Sequence, residues 1–416
     1  MTPTGQFHLV TLGCPKNEVD SDKLAGTLVA DGMVPTDQVE DAELIVVNTC
    51  AFVEDARRES IDTVLALADQ RRDGARLVVT GCMAERYGTE LADELPEVDQ
   101  VVGFGVPVVM GKTRSNGAPP PVMDLRNLPR PASTRPWAYV KVAEGCDRAC
   151  GYCAIPSFRG PQRSRSPESV LAEVDGLGVR EVVLVAQDLA AYGRDQGVGD
   201  KAIVALVGAV ADRVDWVRLL YLYPSEVTDP LVDAVCGSGV PYFDLSLQHV
   251  SRPLLRRMRR WGDGDRFSAL VERIRRREPD ATFRSNFIVG YPGETEEDHD
   301  ELLAFVADVG LDWCGFFAFS EETGTHAEGL DGAVPAPLVA ERLRELGELQ
   351  DAITASKRDA LIGRQVEVLV DEPGWGRTHR EAPEIDGLVE VPADLPVGEF
   401  ATLTVTGAAG PDLEAA

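Results

Sequence analysis

Cys146, Cys150 and Cys153 fall in one short run, GCDRACGYC, at the spacing CxxxCxxC with no fourth cysteine close behind. Four thiolates close the coordination of an iron–sulfur cluster and suit it to electron transfer. Three thiolates on a four-iron cluster leave one iron without a protein ligand, and an open metal position is what catalysis at a metal needs. A zinc knuckle is the competing reading. It usually pairs CxxC with a second ligand pair, and no His or Cys follows nearby to supply one.

A second group of three thiols precedes this one. FHLVTLGC reaches Cys14, ELIVVNTC reaches Cys50 and RLVVTGC reaches Cys82. Each run is short and rich in β-branched residues, so each is expected to be a buried parallel strand with its cysteine at the carboxyl end. Ligands of open α/β sheets bind outside those ends. The three thiols, spaced 36 and 32 residues apart, can therefore converge. A single free cysteine is often a small core residue, but three in the same position of consecutive units are hard to assign to packing. Cys236 and Cys314 belong to neither set and read as structural. His249 stands alone at a strand end, where a structural role is favoured over a proton shuttle.

The elements that must position these residues divide into three units. Residues 1–115 alternate strand and helix patterns, and Ile61, Val64, Leu65 and Ala68 mark the apolar face of one helix. Residues 116–136 are rich in Pro and small residues and read as a linker. Over 137–358 six further runs (AYVKVAEG, EVVLVAQ, VRLLYLY, YFDLSLQ, TFRSNFIVG and WCGFFAFS) predict a partial (βα)6 barrel, short of the eight units that close one. Ser166 followed by Pro167 is a helix start. The carboxyl ends of the six runs are polar, with Gln187-Asp188, Tyr223, Gln248-His249 and Ser320. Residues 338–359 form an amphipathic helix. Within 359–416 the runs QVEVLV, DGLVEV and FATLTV predict a small antiparallel β-barrel.

Composition narrows the class. At 416 residues the chain is too long for one ordinary core. It has no apolar run of about 18 residues to span a membrane, and MTPTGQFHLV does not read as a signal peptide. Eight cysteines without a secretory signal suit a reducing compartment, so the expected location is cytoplasmic. Acids outnumber bases 69 to 41, a net charge of −28. That balance disfavours a general footprint on nucleic acid and suits a basic partner, although it serves solubility equally well. Ten bases gather in 252–277, and pairing with local acids is preferred there over contact with ribosomal RNA.

The CxxxCxxC spacing followed by YCAIP resembles the radical S-adenosylmethionine (SAM) superfamily. The whole chain resembles the methylthiotransferase family. TLGCPKN at 11–17, IVVNTCAFVEDARRESID at 45–62, TGCMAERY at 80–87, LSLQHVSRPLLRRMRR at 245–260 and FIVGYPGETEED at 287–298 carry the likeness, and the terminal unit resembles a TRAM domain. Glu18, Ala51 and Val250 depart from the family pattern without removing a ligand.

The resemblance implies two 4Fe-4S clusters, one on Cys146, Cys150 and Cys153 that binds SAM and an auxiliary one on Cys14, Cys50 and Cys82. It implies that Tyr152 and Ile155 contact the adenine end of SAM; Gln187 and Gln248, which end strands facing the same mouth, are equally suited to bind SAM's polar groups and to hydrogen-bond backbone at the barrel rim. GCPKN, the AQD at 186–188 and EAPEIDG at 381–387 are most similar to the branch that modifies a ribosomal protein. Its substrate is an aspartate of small-subunit ribosomal protein S twelve, methylthiolated on the β-carbon, and an electron donor is a second implied partner. The rival branch acts on tRNA and would need a basic terminal barrel, whereas residues 361–416 carry 11 acids and 3 bases. A non-catalytic iron–sulfur carrier would leave the SAM-type barrel unexplained. Glu381, Glu384 and Asp386 are expected to offer a docking face for a basic protein.

Overall fold

The computed structural model describes residues 5–106, 108, 124–199 and 201–416. The first sheet holds β1 (Gly5–Thr11), β2 (Met33–Pro35), β3 (Leu44–Thr49), β4 (Arg76–Gly81) and β5 (Gln100–Val101), all parallel, in the order β2-β1-β3-β4-β5. Helix α1 (Pro15–Ala30) packs on one face through Leu24 and Leu28, and α2 (Glu54–Gln70) and α3 (Cys82–Glu94) cover the other. Every residue of β3 is consequently buried. On α2 the inward line runs Ser60, Val64, Leu67, while Leu65 is 37% exposed, so the expected apolar face is rotated.

The second sheet uses all six of the expected runs. It comprises β6 (Trp137–Lys141), β9 (Glu181–Val185), β10 (Trp216–Leu222), β11 (Tyr242–Gln248), β12 (Thr282–Val289) and β13 (Trp313–Ala318), parallel in chain order and open between β6 and β13. A short pair, β7 (Ala143–Glu144) and β8 (Arg163–Ser164), follows β6. Helices α4 (Ile155–Arg159), α5 (Pro167–Leu177), α6 (Lys201–Ala211), α7 (Asp229–Cys236), α8 (Arg252–Arg257), α9 (Gly264–Arg277), α10 (Glu296–Val309) and α11 (Ala336–Asp359) complete the unit. Ser166 caps α5 as expected, accepting from Ser169 N–H at 3.2 Å.

The convex face of this sheet packs Val182, Leu219, Phe243 and Phe283 against the helices. Its concave face, with Tyr139, Val183, Leu220 and Tyr242, is covered by Val19 of α1 and by Leu369 and Ala382 of the terminal unit. Both smaller units therefore plug the mouth of the partial barrel. In the Arg-rich stretch, Arg266, Arg273 and Arg276 pair with Asp263, Asp229 and Glu272 at 3.5, 3.1 and 3.8 Å, the local pairing preferred from sequence.

The terminal unit is a closed barrel of β14 (Gln365–Glu372), β15 (Trp375–Arg377), β16 (Val389–Glu390), β17 (Phe400–Ala409) and β18 (Asp412–Ala415), in the order β14-β15-β16-β18-β17. One of its pairings, β16 with β18, is parallel, against the all-antiparallel expectation. Strands β15 and β18 are too short for alternation to announce them.

Residues 116–123 of the expected linker lie outside the described residues, and residues 124–136 are held in place by their neighbours. Arg130 donates to the Tyr139 carbonyl at 2.6 Å and pairs with Glu173 at 3.4 Å and with Asp22, while Lys23 donates to the Arg126 carbonyl at 2.5 Å. The proline-rich stretch is thus a wedge between α1 and the barrel.

The acidic docking face is also not free. Glu381 is fully buried, accepts from Thr378 N–H and Oγ1 at 2.7 Å and pairs with Arg358 of α11. Asp386 accepts from Tyr242 Oη at 2.6 Å and lies 3.5 Å from Arg284. Buried arginines of the barrel need carboxylates, so these acids join the terminal unit to the barrel instead.

Glu384 remains half exposed and pairs with Arg135 at 2.5 Å, which also lies 3.5 Å from Glu18. Burial, then the Glu384 charge, pushes Glu18 up to about 7 from an ordinary 4.5. Its carboxyl holds a proton in the fold that the unfolded chain releases earlier. Stability should therefore be fullest below about 4.5 and fall as pH rises through about 7. In thermal melts between pH 5.5 and 8, Glu18→Gln should lose part of the wild-type decline, and parallel pH profiles for the two proteins would refute this linkage.

Candidate metal centres

The three N-terminal cysteines stand at adjacent strand ends in matched register, with Thr11 opposite Asn48, Asn48 opposite Thr80 and Thr49 opposite Gly81. Cys14 precedes the first turn of α1, Cys50 follows β3, and Cys82 opens α3. Two glycines permit this approach. A Cβ on Gly13 (φ +97°) would lie 2.8 Å from Cys50 Sγ, and one on Gly81 (φ +92°) would lie 2.5 Å from the Thr49 carbonyl. Asn17 ties the turn down by donating to the Leu12 and Thr49 carbonyls at 2.9 and 3.0 Å.

The thiols feel one another. Burial, with the charges of Cys14 and Cys82, pushes Cys50 up to about 11. Cys14 behaves differently. Burial acts to raise it, but the charges of Lys16 and Arg159 and the N–H groups of Asn17 and Lys16 outweigh burial and leave it lowered. Cys14 is the first of the three to offer a thiolate.

Cys146, Cys150 and Cys153 occupy the loop between β7 and α4. Burial, with Asp188 and Cys150, pushes Cys146 up to about 11, and burial with its two neighbours pushes Cys153 up to about 12. Mutual repulsion of this kind is relieved by a cationic centre that all three thiolates share. Among the described residues no three Cys, His, Asp or Glu converge tightly enough to hold a single metal ion. A four-iron cube spreads its thiolates, one per corner iron, more widely than an ion bound at about 2.3 Å to each sulfur. All-thiol donor sets are the chemistry that iron–sulfur clusters take.

The expected SAM contacts are distributed as follows. Tyr152 packs against the barrel core, and Ile155 opens α4 half-buried. Gln187 donates Nε2 to Glu144 at 2.8 Å, while its Oε1 and the neighbouring Asp188 Oδ1 are buried acceptors with no donor. Two adjacent unsatisfied acceptors at a strand end suit a ligand that brings N–H groups or positive charge, as SAM does. Gln248 ends β11 at φ +75°, a strained conformation for a residue with a side chain.

His249 is fully buried, its Nδ1 accepts from Ser251 N–H at 3.1 Å, and burial lowers it to about 4. It is neutral near pH 7 and takes the structural role. Cys236 and Cys314 pack against the barrel core, with Glu278 and Arg277 beside the first and Arg284 and Asp312 beside the second.

Sequence reasoning missed a buried charge network between the two cysteine sets. Arg159, at the end of α4, donates to Cys82 Sγ at 2.9 Å, Asn17 Oδ1 at 2.9 Å and Glu144 Oε1 at 2.7 Å. Lys141 reaches Glu144 at 2.6 Å and also pairs with Asp20 of α1. Burial opposes ionisation of Glu144, but Arg159 and Lys141 outweigh it and hold the carboxyl well below its usual range. On the other side Arg260, also buried, donates to Cys150 Sγ at 3.2 Å. Arginine on a short helix reads as solvated, so the extension of the cysteine run through SFRG was the only available signal.

Residues 6–103 match the uncharacterized protein family UPF0004, residues 140–306 the radical SAM superfamily, and residues 362–416 the TRAM domain. The ribosomal protein uS12 methylthiotransferase RimO of Kineococcus radiotolerans is 43% identical, over 97% of this chain and 96% of that one. RimO of Moorella thermoacetica is 42% identical over 96% of each. Among solved structures, the radical SAM methyltransferase TsrM of Kitasatospora setae superposes with a TM-score of 0.51 at 14% identity, covering 76% of this chain and 75% of that one, a likeness of fold. Superfamily membership implies SAM and a 4Fe-4S cluster. At 42–43% identity over nearly the full length of these enzymes, the chain belongs to the RimO family of radical SAM methylthiotransferases.

Proposed function

We propose that this enzyme adds a methylthio group to the β-carbon of an aspartate of ribosomal protein uS12, using two four-iron clusters, on Cys14, Cys50 and Cys82 and on Cys146, Cys150 and Cys153. The observation that carries the two-site reading is Arg159. It follows Cys153 on the barrel chain yet donates to Cys82 of the N-terminal unit, which supports a site built from both units. The β C–H of aspartate is too weakly acidic for an ordinary side-chain base, which calls for a radical route. When bound, the clusters and SAM supply that one-electron chemistry together with the sulfur and methyl of the transferred group.

The chain supplies position and exclusion of water. Gln187 Oε1 and Asp188 Oδ1 accept from the cationic end of SAM, Tyr152 and Ile155 flank its adenine, and Gln248 borders the same mouth. Val19, Leu369 and Ala382 close the concave face of the sheet, and burial of this kind protects a reactive intermediate. A tRNA substrate fits less well. Of the three terminal-unit arginines, Arg377 is buried on Glu181 and Asp371, and Arg364 and Arg380 pair with Asp280, so they form no free basic face for phosphates. No helix among the described residues is long and apolar enough to cross a membrane, and free thiols with a ribosomal substrate fit the cytoplasm.

Anaerobically reconstituted enzyme should be given SAM, a reductant and either isolated uS12 or tRNA. A gain of one methylthio group on uS12 by mass spectrometry is the expected result. The same gain on tRNA, with uS12 unmodified, would overturn the substrate assignment.

A further inference from the structure

Among the described residues Lys16, beside the Cys14 turn, pairs with no carboxylate. Lys23, Lys141 and Lys357 each reach an acid, at 3.1 Å (Glu173), 2.6 Å (Glu144) and 2.8 Å (Asp312). Lys16 is half-buried two residues after Cys14, and no ion pair among the described residues involves it. Its Nζ stands 3.5 Å from the centre of the Tyr221 ring on β10 of the barrel. Ring contact is weaker compensation for a desolvated ammonium than a carboxylate would be. The position thus lies at the seam between the Cys14 turn and the concave face of the barrel sheet.

Tyr221 itself is held at φ +65°, and the neighbouring strand ends in Gln248 at φ +75°. Both sit where strand register is irregular, between Leu219 and Leu222 and between Leu245 and Gln248. Non-glycine residues in the left-handed region persist only where surrounding structure imposes them, and they gather at functional sites. The Tyr221 N–H is fixed by Asp244 at 2.9 Å, which holds the ring beneath Lys16.

We propose that Lys16 receives the side-chain carboxylate of the substrate aspartate over the Tyr221 ring. The β-carbon to be modified is bonded to that carboxyl carbon, so fixing the carboxylate fixes the reacting atom beside the Cys14 set. This assignment rests on the uS12 reading above. SAM also carries a carboxylate, but the cations near the barrel cysteines are Arg148, engaged by Asp188 and Glu226, and Arg260, engaged by Cys150 and the Ser246 carbonyl. Lys16 belongs to the opposite, N-terminal side. It is a specificity residue, distinguishing aspartate from its uncharged amide.

The test uses reconstituted holoenzyme with SAM and two peptides from the target loop of uS12 that differ only in carrying Asp or Asn at the modified position. Affinities are measured anaerobically by fluorescence anisotropy for wild type, Lys16→Met and Lys16→Arg, with iron content checked for each. Wild type should prefer the Asp peptide. Lys16→Met should lose about ten- to hundredfold on that peptide, the range of one charge-assisted hydrogen bond, and little on the Asn peptide. Lys16→Arg, which keeps the charge, should recover part of the preference.

An unchanged Asp-to-Asn ratio in Lys16→Met overturns the assignment. So does an equal loss on both peptides, or a loss of SAM affinity with the ratio intact. If Lys16→Met fails to load iron, an absent Asp preference in wild type overturns it equally. Wild type that still methylthiolates uS12 under any of these results leaves the function standing, whereas wild type that modifies only tRNA removes both.

Discussion

Replacing Cys146, Cys150 and Cys153 together with Ala is expected to abolish cleavage of SAM to 5′-deoxyadenosine while leaving about half of the roughly eight irons per chain. The two cysteine sets belong to units with separate cores. Cys14, Cys50 and Cys82 are carried by a sheet whose two faces are packed by its own helices. The second set lies in a loop beyond β7, outside that sheet. Loss of the second set therefore leaves the scaffold of the first intact. The reciprocal triple replacement of Cys14, Cys50 and Cys82 should keep some SAM cleavage and lose methylthio transfer. Iron analysis, 5′-deoxyadenosine release and the mass of the substrate read the three quantities separately. Loss of all the iron in the barrel variant, or of none, would contradict two independent sites. Methylthiolation by the Cys14→Ala, Cys50→Ala, Cys82→Ala protein would contradict the division of labour.

The strands and the candidate cysteine sets at their ends were legible because each rests on local pattern. A β-branched run ending in cysteine marks strand and candidate ligand at once, and the three runs of that kind reappear as β1, β3 and β4, while the six later runs reappear as β6 and β9 to β13. What the pattern could not convey is where a charge goes once distant segments meet. Glu381 and Asp386 look like surface acids in EAPEIDG, yet Arg358 and Arg284, 23 and 102 residues away, claim them. Arg130 looks like a linker residue until Asp22 and Glu173 appear beside it. Lys16 reads as part of a motif, and its lack of an acid is visible only when Tyr221 arrives from the barrel. Periodicity reports burial of apolar faces. It is silent on buried ion pairs, because a charged residue that is paired inside has the same local signature as one in water.

Arg159→Leu should show the largest effect of any single change away from the cysteines. The guanidinium is 1% exposed and serves Cys82, Asn17 and Glu144 at once. Removing it leaves Lys141 as the cation that Glu144 and Asp20 must share. Breaking a buried pair from one side typically costs about 3–5 kcal/mol. The thiols respond as well. Against the burial that raises them, Arg159 is among the charges that favour the thiolates of Cys14 and Cys82, and iron requires those thiolates. The variant should therefore melt earlier and retain about half of the iron, with the deficit on the N-terminal set and eased at higher pH, where the thiols ionise more readily. Arg159→Lys keeps a charge but not the planar fork that reaches three acceptors, so it should fall between. Adding Glu144→Gln to Arg159→Leu removes the stranded carboxylate, and the double variant should be less unstable than the sum of its parts. An Arg159→Leu protein that melts like wild type and carries its full iron would show that the two cysteine sets are held together by the packing of α1 against the barrel and not by this guanidinium.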